Sequence, residues 1–297
     1  MTGAEAGFLL LTSPLGNPNR KTLTTAQLRI LAGRVQSIQK PDDERDLDLD
    51  DLLALGYRRD MAEHILQLLS EEQLLHLYCK KGEKQNCYPL TWATSTYPTR
   101  LKERLGKETP GCIWCKGDIS LLMQPMVALV GSRDLNERNH RFAQEVGYQA
   151  ARQGYVLVSG NARGADHTAQ TACLKAGGRV ISVIADSLID KPLEENVLYI
   201  SEDGFDLPFT SQRAISRNRL IHALAERTFV AQSGLCTGGT WDGTVKNLRH
   251  GWSSVYLFSD GSAAAVQLQQ MGAEGITEAN LHDFELLPRQ LPGLFED

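Results

Sequence analysis

The sequence predicts a mixed α/β protein, a three-layer domain built on a parallel sheet and preceded by a small, mainly helical domain. Three observations support this. From residue 126 onward, short runs rich in β-branched residues alternate with stretches of helical spacing, and each run is apolar at consecutive positions. Strands buried on both faces and separated by crossover helices form a parallel sheet covered on each side. The residues before that point show helical periods instead. Finally, 297 residues exceed the roughly 100 to 200 usual for one domain, so two are expected. The boundary is drawn at residue 110, giving a helical domain over 1–110 and a sheet domain over 111–297.

The opening segment has a short apolar patch, Phe8 to Leu11, with no basic residue before it. No apolar run approaches the roughly 20 residues that cross a bilayer, so a cytoplasmic protein with reduced thiols is expected. Leu28, Leu31 and Val35 then recur at helical spacing behind Thr24, a residue suited to cap a helix over 24–35. The acidic run 41–51 reads as a solvated loop with capping aspartates. Two apolar stretches, 52–57 and 61–69, hinge at Gly56 and suggest a helical hairpin. Among six cysteines, Cys112 and Cys115 have a spacing that could join Cys79 and Cys87 around zinc. Pro110, Gly111 and Gly117 flank them, however, and apolar Ile113 and Trp114 lie between, which reads as a short strand. Positions three apart on a strand face opposite ways, so structural thiols are expected, with no metal or other cofactor.

In the second domain the expected strands are 126–130, 155–158, 180–184, 228–231 and 254–258. Phe142, Ala143, Val146, Gly147 and Ala150 mark one intervening helix, and 165–176 another. This is a Rossmann-like order. Residues 263–297 read as a last helix, a short strand and a tail.

Ligands of open parallel sheets bind outside the carboxyl ends of the strands. After the first expected strand comes Gly131-Ser132-Arg133, and after the second Ser159-Gly160-Asn161-Ala162-Arg163-Gly164-Ala165-Asp166. Each is a glycine-containing turn into a helix, where unpaired amides and the helix dipole favour an anion. The spacing is not Gly-x-Gly-x-x-Gly, and no acid ends the second strand to hold a ribose, which disfavours a nicotinamide dehydrogenase. Arg133 and Arg163 at neighbouring strand ends would repel one another without an anion between them, and Asp166 neutralises Arg163 in part. Arg217 and Arg219 are two apart, diverging by about 200° on a helix, so one is expected to reach the crevice and the other to make a structural ion pair. A third turn, Ser233-Gly234 to Gly238-Gly239-Thr240, opens another helix. Three such turns on one edge suit a ligand with several phosphates. The net charge of −5 does not exclude this, because residues 261–297 carry six acids against one base while the rest is balanced.

The order Gly-Ser-Arg, Ser-Gly-x-Ala-Arg-Gly-x-Asp, then Arg217-Asn218-Arg219-Leu220-Ile221 before a strand with a glycine-rich end resembles the DprA (Smf) DNA-processing family. Tyr97-Pro98-Thr99-Arg100-Leu101 and Trp114-Cys115-Lys116-Gly117-Asp118 are similar to that family's approach to its Rossmann domain, and the helical hairpin fits its SAM-like amino-terminal module. The resemblance implies a protein that binds and protects incoming single-stranded DNA and loads a RecA-type recombinase in recombination and natural transformation. It implies a homodimer, no membrane association and no catalysis. It also implies that Gly131, Ser132, Arg133, Ser159, Gly160, Ala162, Arg163, Gly164, Asp166, Arg217, Asn218 and Arg219 form the binding pocket, joined by Gly238, Gly239 and Thr240 of the third turn. Phe209, Phe205 or Trp241 would supply base stacking.

The chain departs from the family pattern at Asn161, at Lys191-Pro192 and at the 237–244 loop, and no winged-helix domain is expected after the sheet. The loop is closer to that of LOG-type (lysine decarboxylase-like) proteins, which leaves two alternatives, a sensor of small nucleotides and a nucleotide phosphoribohydrolase. Hydrolysis needs a carboxylate beside the developing ribosyl cation, but the matching position is Asn247, with Asp242 the nearby substitute.

Overall fold

The computed structural model describes residues 1–38 and 46–289, so part of the acidic run and the end of the tail lie outside the described residues. The chain divides into two compact units and passes between them more than once. The first comprises Met1–Tyr97, Lys107–Trp114 and Glu202–Leu207, and the second the remainder.

The first unit carries α1 (Gly3–Thr12), α2 (Thr25–Ile38), α3 (Leu49–Ala54), α4 (Arg59–Leu69) and α5 (Glu72–Glu83), followed by strand β1 (Tyr88–Thr91). Local chemistry sets the helix starts. Thr2 with Glu5 and Asp48 with Asp51 form reciprocal caps, and the Thr24 hydroxyl accepts the Gln27 amide at 3.3 Å. Gly56, at φ +81°, separates α3 from α4 as the hairpin requires. The apolar positions of these helices meet in a core of Leu11, Leu28, Leu31, Leu52, Ile65 and Leu68. A second cluster packs Tyr78 and Trp114 against Phe205 at 4.5 and 4.9 Å, and the Tyr78 hydroxyl donates to Asp206. Phe205 is wholly buried there and is not available for stacking on a base.

Cys112 and Cys115 lie on strand β2 (Cys112–Gly117), and none of the six cysteines is in a disulfide. Burial pushes the thiols of Cys112 and Cys173 up to about 12, which makes them packing groups. Among the described residues no three His, Cys, Asp or Glu side chains are placed to hold a metal.

The second unit begins with α6 (Thr99–Leu105) and is built on β3 (Met126–Val130), β4 (Val156–Ser159), β5 (Arg179–Val183), β6 (Val197–Ser201), β7 (Arg227–Val230), β8 (Ser254–Phe258) and β9 (Glu274–Ile276). These pair in parallel in the order β6-β5-β4-β3-β7-β8-β9. Five of the seven match the expected runs to within a residue at each end. The last short strand also appears as expected, whereas β6, reached through a polar loop, was not anticipated. Every residue of β3 is buried, Val127 pairing with Leu157 on one side and Arg227 on the other. Phe142 and Val146 of α7 (Glu137–Arg152) and Ala169 of α8 (Ala165–Lys175) pack with Leu129, Leu157, Phe229 and Phe258 into the main core. Phe142 stacks on Phe258 at 4.7 Å. The order of strands reverses at β3, whose neighbours β4 and β7 lead away in opposite directions, and this is where a crevice opens. No helix among the described residues is long and apolar enough to cross a membrane.

At the amino ends of the strands, Glu285 accepts from the Tyr155 hydroxyl and pairs with Arg227 at 3.1 Å, pinning the carboxy-terminal segment. These bonds hold the Glu285 carboxyl below the usual range. Its contribution to stability is therefore present above the unfolded value of about 4.3 and lost as pH falls through the lower folded value. Glu285→Gln is expected to lower the thermal midpoint at pH 7 by a few degrees at most, about 1 kcal/mol for an exposed pair. The difference from the parent should shrink below pH 4.3 or so, as followed by calorimetry across pH.

Candidate functional site

Three loops follow β3, β4 and β7 at their carboxyl ends, and a fourth wall comes from two short helices, α9 (Ser211–Ser216) and α10 (Asn218–Leu224), that meet at Arg217. They enclose a cavity of about 510 Å³. Of the residues expected from sequence, Gly131, Ser132, Arg133, Ala162, Asp166, Arg217, Asn218, Gly238, Gly239 and Thr240 line it. Ser159, Gly160, Arg163, Gly164 and Arg219 are not on the lining, each for a visible reason.

Ser159 is wholly buried, its hydroxyl bonded by Gln170 Nε2 at 2.6 Å. Gly160 lies against the Arg217 guanidinium, where any Cβ would collide with it. Gly164, at φ +85°, passes the Arg133 carbonyl just as closely. Both glycines are thus required by close approach, and the loops after β3 and β4 are locked together, as the Ala165 amide bond to the Ser132 carbonyl at 3.1 Å confirms. Arg219 turns away and donates to the Ser216 carbonyl at 2.7 Å. Arg163 is three-quarters exposed and pairs with Asp134 at 2.8 Å.

The loop after β4 was expected to offer its amides to a ligand, and here the structure differs. Asp166 is buried, and its Oδ2 accepts the amides of Gly160 and Ala162 at 3.1 and 3.2 Å. Desolvation pushes the carboxyl up, opposed by the Arg217 charge, the two amides and Arg133. Arg217, itself nearly buried, donates to the Val183 carbonyl and faces Asp166. This nest is therefore filled by the protein's own acid. It is a buried scaffold, satisfied internally as a desolvated charge must be.

The helix start that offers its amides to a ligand is that of α11 (Gly238–His250). Thr237 precedes the helix but makes no side-chain cap, so the amides of its first turn have no intrahelical acceptor. Gly238, Gly239 and Thr240 all line the cavity, and Asn218 Nδ2 holds the Gly239 carbonyl at 3.0 Å. The positive end of a helix 13 residues long thus opens into the same space as Arg133.

Sequence reasoning missed Asp134, Ser211, Ile215 and His222, all on the lining. His222 had a signal, since it lies four residues after Asn218 and so on the same helix face. Burial pushes its imidazole down to about 3. Asn247 Nδ2 reaches its Nδ1 at 3.2 Å, which makes Nδ1 the acceptor of a neutral ring. Asn247 also accepts the Ser253 amide at 2.9 Å and is wholly buried, a structural position. Among the aromatic candidates, Trp241 is buried on α11, whereas Phe209 lines the cavity and is 54% exposed.

Residues 89–280 match the family model for DNA recombination-mediator protein A. DNA processing protein DprA of Streptococcus pneumoniae is 32% identical over 152 residues, covering 48% of this chain and 53% of that protein. DprA of Bacillus subtilis is 28% identical over 222 residues, covering 69% and 72%. The chain thus spans about half the length of the first of these relatives and nearly three-quarters of the second. The crystal structure of the S. pneumoniae protein matches with TM-score 0.69 at 24% identity over 87% of this chain and 92% of that one. A DNA processing protein A from Helicobacter pylori, whose structure concerns its single-stranded DNA binding mode, matches with TM-score 0.56 at 22% identity over 66% and 94%. Both likenesses establish the Rossmann-like fold.

Two outcomes test this anatomy. Asp166→Ala leaves two buried amides and Arg217 without their counter-charge and is expected to cost about 3–5 kcal/mol in thermal unfolding, the penalty of an uncompensated buried charge. His222, neutral when folded, contributes stability that is complete above pH 6.5 and lost steadily as pH falls toward 3, because the unfolded state takes the proton first. His222→Gln is expected to flatten that acid limb, and an unchanged slope of unfolding free energy against pH would contradict the assignment.

Proposed function

The chain belongs to the DNA recombination-mediator protein A family, and from that premise we propose that its crevice binds single-stranded DNA through successive phosphates. The observation that carries this reading is the uncapped amino terminus of α11 opening, with Arg133, into one cavity of about 510 Å³. Backbone amides at a helix start and a guanidinium both favour phosphate, and neither reads sequence. Phe209, exposed on the same lining, offers a face on which any base can stack. The likeness to a protein whose structure concerns single-stranded DNA binding supports the same reading.

The proposal extends, on family grounds, to protection of incoming strands and loading of a RecA-type recombinase, by a cytoplasmic homodimer that catalyses no reaction. A second reading, a sensor of a small nucleotide, is favoured by one observation, that the cavity volume suits a single small ligand. Competition by free nucleotides but not by oligonucleotides would select it.

In a fluorescence-anisotropy titration with an oligothymidylate, affinity is expected to fall with rising salt, by about 0.7 in the logarithmic slope for each phosphate engaged. Arg133→Ala should weaken binding at least tenfold, as for a charge-assisted bond of about 1.5–3 kcal/mol, and flatten the slope by about 0.7. Phe209→Ala should weaken it by about 1–3 kcal/mol with the slope unchanged. An affinity indifferent to salt would refute phosphate recognition.

A further inference from the structure

An acid on the wall of an anion crevice works against its ligand, and Asp134 is such an acid. It follows Gly131-Ser132-Arg133 directly and lines the cavity. The other carboxylate on the lining, Asp166, is buried and committed to two amides. Asp134 is 88% exposed at its side chain and holds Arg163, 75% exposed, at 2.8 Å.

The loops bearing this pair are fixed against each other by the Ala165–Ser132 bond and the close passage of Gly164. The Asp134 loop is further tied to the end of β7, because Gln232 donates to the Asp134 carbonyl at 3.4 Å and accepts the Asn136 amide at 3.2 Å. With both backbones held, the parts free to rearrange are the two side chains. An exposed pair of this kind is weak, and a phosphate oxygen can replace the carboxylate on Arg163 at little cost.

Resting on the reading that the crevice takes a polyanionic strand, we propose that Asp134 determines specificity for strands over single nucleotides. It keeps Arg163 occupied off the lining until a ligand presents a phosphate there in exchange. A mononucleotide seated at the start of α11 offers none, so it gains nothing from Arg163 and meets the Asp134 charge. A strand continuing out of the cavity brings a further phosphate to Arg163 and opens the pair.

The test compares thymidine monophosphate and an oligothymidylate on the full chain, for the parent, Asp134→Asn, Arg163→Ala and the double variant. Asp134→Asn frees Arg163 to turn onto the lining, where it can meet the phosphate of either ligand. It is expected to tighten the mononucleotide about fivefold and the oligonucleotide about twofold, the range an exposed ion pair supplies. In the Arg163→Ala background the unequal gains should fall to one small gain common to both ligands, the relief of the Asp134 charge alone, with thermal midpoints alike in all four proteins. Equal gains for the two ligands with Arg163 present, or an unequal gain that survives Arg163→Ala, would show Asp134 to be a plain repulsive charge and overturn the proposal. Should the parent bind the mononucleotide as tightly as the oligonucleotide, the strand reading falls, and an Arg163-dependent mononucleotide gain would still establish the exchange. Binding of neither ligand by any variant would overturn both.

Discussion

A carboxylate taken out of water beneath the loop after β4 is the constraint from which the crevice follows. Asp166 is buried among groups that each answer its charge, two amides of its own loop and the guanidinium of Arg217. Those partners are in turn fixed by the need to stay with it. Gly160 must lack a side chain to let Arg217 in, and Gly164 must take a left-handed turn so that the chain can enter α8 with Asp166 in its first turn. The loops after β3 and β4 are therefore shaped from beneath, by desolvation, before any ligand arrives.

This has an electrostatic consequence. The ionic side chains on the lining balance one another, Arg133 and Arg217 against Asp134 and Asp166, so net charge does not make the cavity attractive to an anion. What does is where each charge can be reached. The deep pair, Arg217 and Asp166, is spent internally, while Arg133 and the first turn of α11 face open space. A helix start gives its amides no intrahelical partner whatever the surrounding sequence, and Thr237 does not supply the missing cap. The chain's overall −5 is thus no guide to this surface.

Much of the sheet unit was legible in the sequence because buried parallel strands leave a plain mark. Met126–Val130 is apolar at every position and turns into Gly131 without a break, and α7 shows its packed face at Phe142, Val146 and Ala150. The site was legible to the level of its loops. What the sequence hid was direction within them. Asp166 reaches back six residues to Gly160, a contact set by the turn at Gly164, which no helical or strand period encodes. Arg163, two residues after Asn161 at φ +56°, carries its guanidinium outward to Asp134, although its spacing alone aligns it with Arg133. The stacking candidates divided in the same way. Phe205 and Trp241 were claimed by packing and Phe209 was left in the open, an outcome fixed by tertiary neighbours.

The same geometry bears on whether this crevice is built to bind or to cleave. Loss of a base from a nucleotide builds positive charge on the ribose, and a carboxylate has to stand beside it with nothing else to neutralise. Asn247 occupies the sequence position where such an acid is expected, and it is wholly buried, joining His222 to Ser253 and holding α11 to the strand that follows. Asp242 is exposed on α11, Asp166 is bound by two amides and a guanidinium, and Asp134 is matched with Arg163. Each of these three carboxylates is thus either outside the crevice or engaged. Neutral His222, its ring held by Asn247, forms part of a fixed wall. Amides at a helix start, an exposed guanidinium and an exposed aromatic ring on one lining are groups that suit a phosphate and its base.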